Sequence, residues 1–177
     1  TYTNNNQQAP NTANSSLGTI KFQSLIYMYT RALNMYNTNK ALPTYLIVQT
    51  WSTNNIPITD TSKTSITTTD IINTAIQVKN YLETTKTLPE YININGIIVN
   101  QATFLQLMAT TTLQLNNTNT APLNLTNTKN PTTVSENTNP GTINITEYLT
   151  IAQTIKNQIE TTNTAPSNIA STLGTIK

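Results

Sequence analysis

The same segment occurs near both ends of this chain, and this repetition constrains the fold more than any other feature. Residues 9–21, APNTANSSLGTIK, align without gaps on residues 165–177, APSNIASTLGTIK. Equal intervals of 78 residues separate Gly18, Gly96 and Gly174 (96 − 18 and 174 − 96). The offset between the two end segments is 156 residues (165 − 9), which is twice this interval. Repetition at a fixed period indicates one structural unit copied along the chain. We therefore expect the chain to be a segment of a longer tandem array. In this array, two unlike units together form the larger repeat.

A second match indicates the first helix of each unit. Segments 70–89 and 147–166 match at an offset of 77, with apolar residues at i, i+4, i+7 and i+11 that form one helix face. In the first segment these residues are Ile71, Ala75, Val78 and Leu82. Thr67 and Asp70 have the spacing of a helix N-cap, and Pro89 follows the expected end.

The remainder of the unit is predicted to be a hairpin and a second helix. YININGIIV (91–99) alternates around Asn95-Gly96, the strongest short hairpin signal. Gly18 and Gly174 stand at the corresponding place, which suggests a turn that requires positive φ. Apolar residues at helical spacing follow in both copies. The predicted fold class is α+β: tandem repeats, each a pair of amphipathic helices with a short β-hairpin.

These patterns divide the chain into five parts. Residues 1–51 form a partial repeat of hairpin and second helix that ends in an extended segment, and 67–125 form the central complete repeat. Residues 143–177 form a second partial repeat, with the first helix and hairpin. Residues 52–66 and 126–142 are polar and contain proline, which is typical of linkers. We therefore expect units arranged like beads on a string rather than a continuous solenoid.

Composition excludes several classes of function. Charged residues are 9% of the chain and the net charge is +2, too weak and scattered for a nucleic-acid interface. The absence of cysteine and histidine excludes disulfides, thiolate-bound zinc and Ser-His or Cys-His nucleophiles. No apolar run reaches the length of a membrane span. The seven carboxylates include no pair spaced to face each other across a cleft. We predict no enzyme, cofactor or metal site, and no membrane insertion in this segment.

Three stretches of the chain share the features of one known repeat family. Val-Lys-Asn-Tyr occurs at 78–81 in the first helix, Leu-Pro-x-Tyr at 42–45 and 88–91, and a turn glycine precedes a Phe-containing second helix. With these features, residues 9–48, 70–109 and, in part, 147–177 resemble the pseudomurein-binding repeat of methanogenic archaea.

The resemblance implies attachment to pseudomurein, a wall polymer of N-acetylated sugars, one of them a uronic acid, and short peptides. It also implies a location outside the cell, at the wall or surface, in adhesin-like proteins or beside endoisopeptidase domains. Those endoisopeptidases use a Cys-His-Asp arrangement, which a chain without cysteine or histidine does not contain. The third copy departs from the family pattern, because Ser167-Asn168 follow Pro166 where Tyr91 follows Pro89-Glu90.

Aromatic rings are the usual platforms for sugar faces, and three of them lie in extended segments after proline. Tyr45, Trp51 and Tyr91 are therefore the candidate ligand-binding aromatics. The alternative for Tyr45 and Tyr91 is that their rings cover helix ends while the hydroxyl groups reach water.

Two lysines and four asparagines complete the candidates. Lys79 and Lys156 recur at an offset of 77 and would pair with the uronic carboxylate; the alternative is a solubilising helix face. Asn-x-Ser/Thr triplets mark glycosylation candidates on a surface protein, although an Asn- and Thr-rich sequence also generates such triplets by chance. These candidates are Asn14, Asn116, Asn124 and Asn144.

The sequence thus predicts a non-catalytic, pseudomurein-binding module of a longer extracellular archaeal surface protein. Its partners are the wall polymer and, in the alternative, further copies of the same chain. That alternative is a structural shaft repeat of a surface fibre or adhesin, which self-associates end to end. A hydrolase is the third hypothesis, and the missing histidine and cysteine argue against it.

Overall fold

The computed structural model describes residues 12–49, 65–129, 137–138 and 141–162, and within them the chain forms nine short strands and four helices. The strands are β1 Thr12–Ser15, β2 Gly18–Lys21, β3 Tyr45–Val48, β4 Ser65–Ile66, β5 Ile92–Ile94, β6 Ile97–Val99, β7 Leu123–Asn124, β8 Asn137–Thr138 and β9 Gly141–Asn144. The helices are α1 Phe22–Asn39, α2 Thr68–Thr85, α3 Gln101–Asn116 and α4 Ile145–Thr162. This mixture, with antiparallel strand pairs only, confirms the α+β class.

Side-chain caps explain where the helices begin. At α2 the Thr67 hydroxyl oxygen accepts a hydrogen bond from the Asp70 backbone N–H (3.1 Å), which confirms the predicted cap. Asn100 caps α3 through Thr103 N–H (2.8 Å). α2 ends at Thr85, and the φ of 60° at the capping residue Lys86 lies in the left-handed region that stops a helix. The local sequence therefore determines these boundaries.

Two hairpins precede the helices α1 and α3. Asn95 (φ 49°) and Gly96 (φ 88°) form the two-residue turn between β5 and β6, as the Asn-Gly signal predicts. Gly18 also has a positive φ, 106°, but it begins β2 and pairs with Ser15, so Ser16 and Leu17 form that turn. The two glycines therefore differ by one position in their hairpins, although they align in sequence. Gly174 lies outside the described residues.

Three further strand pairs, which the sequence analysis does not predict, join distant parts of the chain. β8 pairs with β2, where Thr138 lies opposite Gly18. We call the other two pairs ribbons. In the first ribbon β3 pairs with β9, and Leu46 lies opposite Ile143. In the second, β4 pairs with β7, and Ile66 lies opposite Leu123. The offset is 77 both from Leu46 to Leu123 and from Ile66 to Ile143 (123 − 46 and 143 − 66). Each ribbon joins a strand that follows one helix to a strand that precedes another.

One cluster of buried side chains includes residues from all four helices and both ribbons. The Tyr29 hydroxyl donates to the backbone carbonyl of Tyr148 (3.0 Å), and the Tyr148 hydroxyl donates to the carbonyl of Pro43. Burial raises the pKa of the Tyr29 and Tyr148 phenols, because the ionised form would lose its hydration. The described residues therefore share one core instead of forming separate beads.

Two residues of the expected linkers are buried. Ile66, which ends the expected linker 52–66, is 3% exposed in β4. Thr128, in the expected linker 126–142, is 1% exposed. Its backbone N–H donates to the Thr103 hydroxyl (3.0 Å), and its carbonyl accepts from the Asn100 amide (2.8 Å). A polar segment packs here because side chains at the start of α3 satisfy its backbone.

Candidate functional site

The most exposed large hydrophobic side chain of the described residues lies on the β3–β9 ribbon. Along β3, Leu46 and Val48 face the core, whereas Tyr45 is 62% exposed and Ile47 is 39% exposed. The strand register places Tyr45 opposite Asn144 and Ile47 opposite Thr142. Directly opposite residues of an antiparallel pair lie on the same face. We call the four exposed side chains Tyr45, Ile47, Thr142 and Asn144 the ribbon face.

The ribbon face combines the groups that recognise a carbohydrate. A tyrosine ring offers an apolar surface to sugar C–H groups, while amide and hydroxyl groups form hydrogen bonds with sugar hydroxyls. The Asn144 side-chain oxygen accepts from the Glu147 backbone N–H (2.9 Å) and so caps α4. This bond fixes the amide and leaves its NH₂ group as the donor toward a ligand.

The second ribbon lacks such a face. At the offset of 77 residues, Pro122 takes the place of Tyr45 and Asn124 takes the place of Ile47. The strands β4 and β7 form only two residue pairs. Ser65 and Asn124 are exposed there, but no aromatic residue accompanies them. Among the described residues, the ribbon face therefore has no counterpart at the corresponding position.

The other predicted aromatic residues lie elsewhere. Tyr91 is 54% exposed and precedes β5, after the end of α2, so it stands in a different part of the fold from Tyr45. Trp51 lies outside the described residues. Tyr81 on α2 is 45% exposed, and sequence reasoning missed it as a candidate. Its position beside the buried stripe of Val78 and Leu82 is the signal that would have indicated it. Ile47 was also missed, and its alternation with buried neighbours is the corresponding signal.

The predicted Lys79 belongs to an ion-pair cluster between α1 and α2. Its ammonium group donates to Glu83 (2.7 Å), which also accepts from Arg31 (3.3 Å) and the Tyr27 hydroxyl (3.1 Å). Burial raises the pKa of Glu83, but hydrogen bonds from Lys79 and Tyr27 and the charges of Lys79 and Arg31 outweigh it and hold the pKa below its usual value. Burial raises the pKa of the Tyr27 hydroxyl. Lys79 thus already has a carboxylate partner within the chain.

The predicted Lys156 is paired in the same way on α4. Its ammonium group lies 2.5 Å from Glu160, an i,i+4 pair whose side chains are 29% and 52% exposed. Exposed pairs of this kind contribute about 0.3–0.5 kcal/mol to helix stability. The two predicted lysines therefore occupy corresponding helix positions, and each stabilises its own helix.

Among the described residues, two grooves open beside the helices. The first, about 340 Å³, lies between α3 and α4 and is lined by Gln106, Thr110, Leu123, Asn124, Thr126 and Glu160. The second, about 250 Å³, is lined by residues at the ends of α1 and α3, including Tyr36, Lys40 and Asn116, and by Ile145. Both volumes are at or below the lower end of the range for small-molecule sites, about 300–1,000 Å³.

The glycosylation candidates are distributed over these surfaces. Asn124 lines the first groove, Asn116 lines the second, and Asn144 belongs to the ribbon face. All three side chains are exposed. Asn14 lies in β1, and its side chain is outside the described residues. A glycan on Asn144 would cover the ring of Tyr45, so sugar attachment and sugar binding are alternatives at the ribbon face.

Four of the described carboxylates, those of Asp70, Glu83, Glu147 and Glu160, have structural partners, and the described carboxylates do not assemble into a reactive cluster. Asp70 accepts from the Thr67 hydroxyl (2.6 Å), and Glu147 accepts from the backbone and hydroxyl of Ser16 in the β1–β2 turn. Within the described ranges no three acidic, histidine or cysteine residues lie close enough to hold a metal ion. No helix there combines the length and apolar character that crossing a bilayer requires. The arrangement offers surfaces for binding.

The chain matches no protein-family model, no curated protein and no solved structure.

Proposed function

We propose that this chain is a non-catalytic module that binds the pseudomurein cell wall, as part of a longer extracellular archaeal surface protein. The observation that carries the proposal is the ribbon face, where the 62%-exposed Tyr45 lies opposite Asn144. The family resemblance supplies the polymer, and the ribbon face supplies a surface with suitable chemistry. An aromatic ring this exposed contributes little to the core, so binding gives it a reason to be at the surface.

The energetics of such a surface favour an array. One exposed ring with one amide gives weak binding, because each exposed contact competes with water. Linked copies convert further contacts into intramolecular events and raise the apparent affinity by about 10²–10⁴. A wall polymer presents the same chemical group many times, so repetition in the protein matches repetition in the ligand. Tandem organisation is therefore part of the proposal.

The internal correspondences support that tandem organisation. The strand pairs Leu46–Ile143 and Leu123–Ile66 are related by the 77-residue offset of the sequence. α4 packs against β1 as α2 packs against β5. The hairpin and helix from the N-terminal part and α4 from the C-terminal part together resemble the central unit.

Co-sedimentation with purified pseudomurein sacculi tests the proposal. The 177-residue chain is expected to bind, and Tyr45→Ala to lower the association constant about fivefold, since an aromatic contact contributes roughly 1 kcal/mol. Tyr81→Ala, a tyrosine of similar exposure on α2, is the matched control and should bind like the unmodified chain. Tyr91→Ala measures whether the second predicted tyrosine contributes. Failure of the unmodified chain to co-sediment, or an unchanged Tyr45→Ala variant, would contradict the proposal.

A structural shaft is the second candidate, and one contact favours it. Ser16 in the β1–β2 turn bonds Glu147 on α4, so a hairpin and a helix from distant parts of the chain fit each other. Residues 165–177 repeat the sequence of 9–21, so a neighbouring copy would present the same hairpin sequence to α4. A shaft predicts concentration-dependent end-to-end association in analytical ultracentrifugation, without sacculus binding. A wall binder predicts sacculus binding by monomers.

A further inference from the structure

The two helix pairs α1–α2 and α3–α4 place corresponding glutamates at their interfaces but surround them differently. α1 begins at Phe22 and α3 at Gln101, an offset of 79, while α2 and α4 begin 77 residues apart. Glu160 and Lys156 therefore correspond to Glu83 and Lys79. On the facing helix, Gln106 and Thr110 correspond to Tyr27 and Arg31.

In the first pair, two cations and a phenol surround the carboxylate. Arg31 and Lys79 both donate to Glu83, and the Arg31 guanidinium lies over the Tyr27 ring, 5.8 Å from its centre. The Arg31 and Tyr27 side chains fill the space between the helices next to Glu83.

In the second pair, that space is a groove. Thr110 replaces the arginine and Gln106 replaces the tyrosine, and both are shorter side chains. Gln106, Thr110 and Glu160 together line the groove of about 340 Å³, so it lies where a counterpart of the Arg31 side chain would be. Glu160 keeps its bond to Lys156 but has no arginine partner among the described residues.

We propose that the α3–α4 groove binds a guanidinium or alkylammonium group, presented by an arginine or lysine side chain of a peptide. The Glu160 carboxylate takes the charge, as Glu83 takes that of Arg31. Leu107 and Leu123 contact the aliphatic stem, and the oxygens of Asn124 and Thr126 accept further N–H groups.

Hydrogen bonds hold the Gln106 side chain against the wall of the groove. Its side-chain oxygen accepts from the Thr128 hydroxyl (2.6 Å), and its amide nitrogen lies 3.5 Å from the Thr126 hydroxyl. An anionic ligand would meet the Glu160 carboxylate in the groove, which selects against it. This inference is independent of the wall-binding proposal, because it rests on the α3–α4 groove and not on the ribbon face.

An NMR titration of the 177-residue chain with N-acetyl-L-argininamide tests the proposal. Amide shifts are expected at Gln106, Thr110, Asn124 and Thr126, with a dissociation constant on the order of 1 mM, typical of one charged contact at a half-exposed site. N-acetyl-L-citrullinamide, which has the same shape without the charge, should bind at least about fivefold more weakly. Diffusion measurements on the same samples report self-association of the chain. They therefore distinguish a groove that binds a peptide side chain from a groove that binds a lysine of a second copy.

Two variants complete the test. Glu160→Gln should weaken binding at least about fivefold, whereas Glu90→Gln, which removes the same charge at an exposed position between α2 and β5, should not. Thr110→Arg supplies the missing side chain and should abolish binding of the probe while leaving the spectrum of the folded chain intact. Equal binding of the citrulline probe, shifts scattered over the surface, or unchanged binding by Glu160→Gln or Thr110→Arg would overturn the proposal.

Discussion

Replacing Leu46 by alanine tests whether the β3–β9 ribbon belongs to the common core. Leu46 is 1% exposed and lies opposite Ile143, which is also 1% exposed. Leu→Ala substitutions in cores cost about 2–5 kcal/mol, through lost transfer energy and the cavity that remains. A two-stranded ribbon at the edge of the core relaxes more easily than its centre. We therefore expect the free energy of unfolding to fall by about 2–3 kcal/mol, the lower part of that range.

Ile47→Ala is the matched control on the same strand. Ile47 is 39% exposed on the ribbon face, so its truncation removes β-propensity and less buried area than the truncation of Leu46. We expect a cost of about 1 kcal/mol or less. Urea unfolding followed by circular dichroism measures both variants, and one core predicts a single transition with an unchanged denaturant slope. Equal costs for the two variants, or two separate transitions, would refute the reasoning.

Three further substitutions test individual features. Glu83→Gln should lower the free energy of unfolding at neutral pH, and the difference from the unmodified chain should shrink as pH falls below about 4.5. The reason is that a carboxylate with a lowered pKa in the folded state gives stability that is lost when it is protonated. Urea titrations at several pH values measure this difference. Tyr29 has a raised pKa in the folded chain, so the free energy of unfolding should fall above pH 10 as Tyr29 ionises in the unfolded state. Tyr29→Phe should reduce the slope of this fall with pH by up to about 1.4 kcal/mol per pH unit. An unchanged slope in alkaline urea titrations would argue against the burial of Tyr29. Gly96→Ala should lower the free energy of unfolding by about 1 kcal/mol through the φ of 88° alone, since a Cβ there meets nothing within 4 Å. Gly96→Asn should lower it by less, because asparagine tolerates a positive φ better than alanine. Thermal unfolding that ranks the two variants in the opposite order would contradict the assigned turn.

Local elements of the fold could be predicted because their signals are local. The stripe that includes Ile71 and Val78 and the Thr67 cap predict α2, and the observed helix begins directly after Thr67. Asn95-Gly96 predicts the β5–β6 turn, because few other residue pairs tolerate two positive φ angles. These features depend on residues within one or two turns of chain.

The ribbons could not be predicted, because nothing local relates their strands. β3 and β9 are separated in the chain by α2 and α3, and β4 and β7 are only two residues long. Polar composition also suggested a linker around Thr128. This residue is buried, its carbonyl accepts from the Asn100 amide, and its backbone N–H donates to the Thr103 hydroxyl. Composition reports solubility, but the satisfaction of backbone groups by distant side chains appears only in three dimensions.

The candidate site was partly foreseeable for the same reason. The position of Tyr45 after Pro43 in a non-helical segment indicated an exposed ring, and the ring is exposed. Its neighbour Asn144 is set by the register between two distant strands, so the ribbon face could not be assembled from sequence. The pairing of Lys79 with Glu83 follows from i,i+4 spacing, but the participation of Arg31 depends on helix packing.

A cross-linking measurement tests the central claim most directly. This claim is that β3 and β9, which are far apart in the chain, meet and present the ribbon face. The chain has no native cysteine, so Ile47→Cys combined with Thr142→Cys introduces the only two thiols. These positions are opposite each other in β3 and β9, where Cβ atoms lie about 4.5–5.5 Å apart. The account predicts an intramolecular disulfide on mild oxidation, seen as faster migration on a non-reducing gel. The control pair Ile47→Cys with Ser65→Cys should remain reduced, because Ser65 pairs with Asn124 instead. No intramolecular cross-link for the first pair, or equal cross-linking of both, would contradict the account.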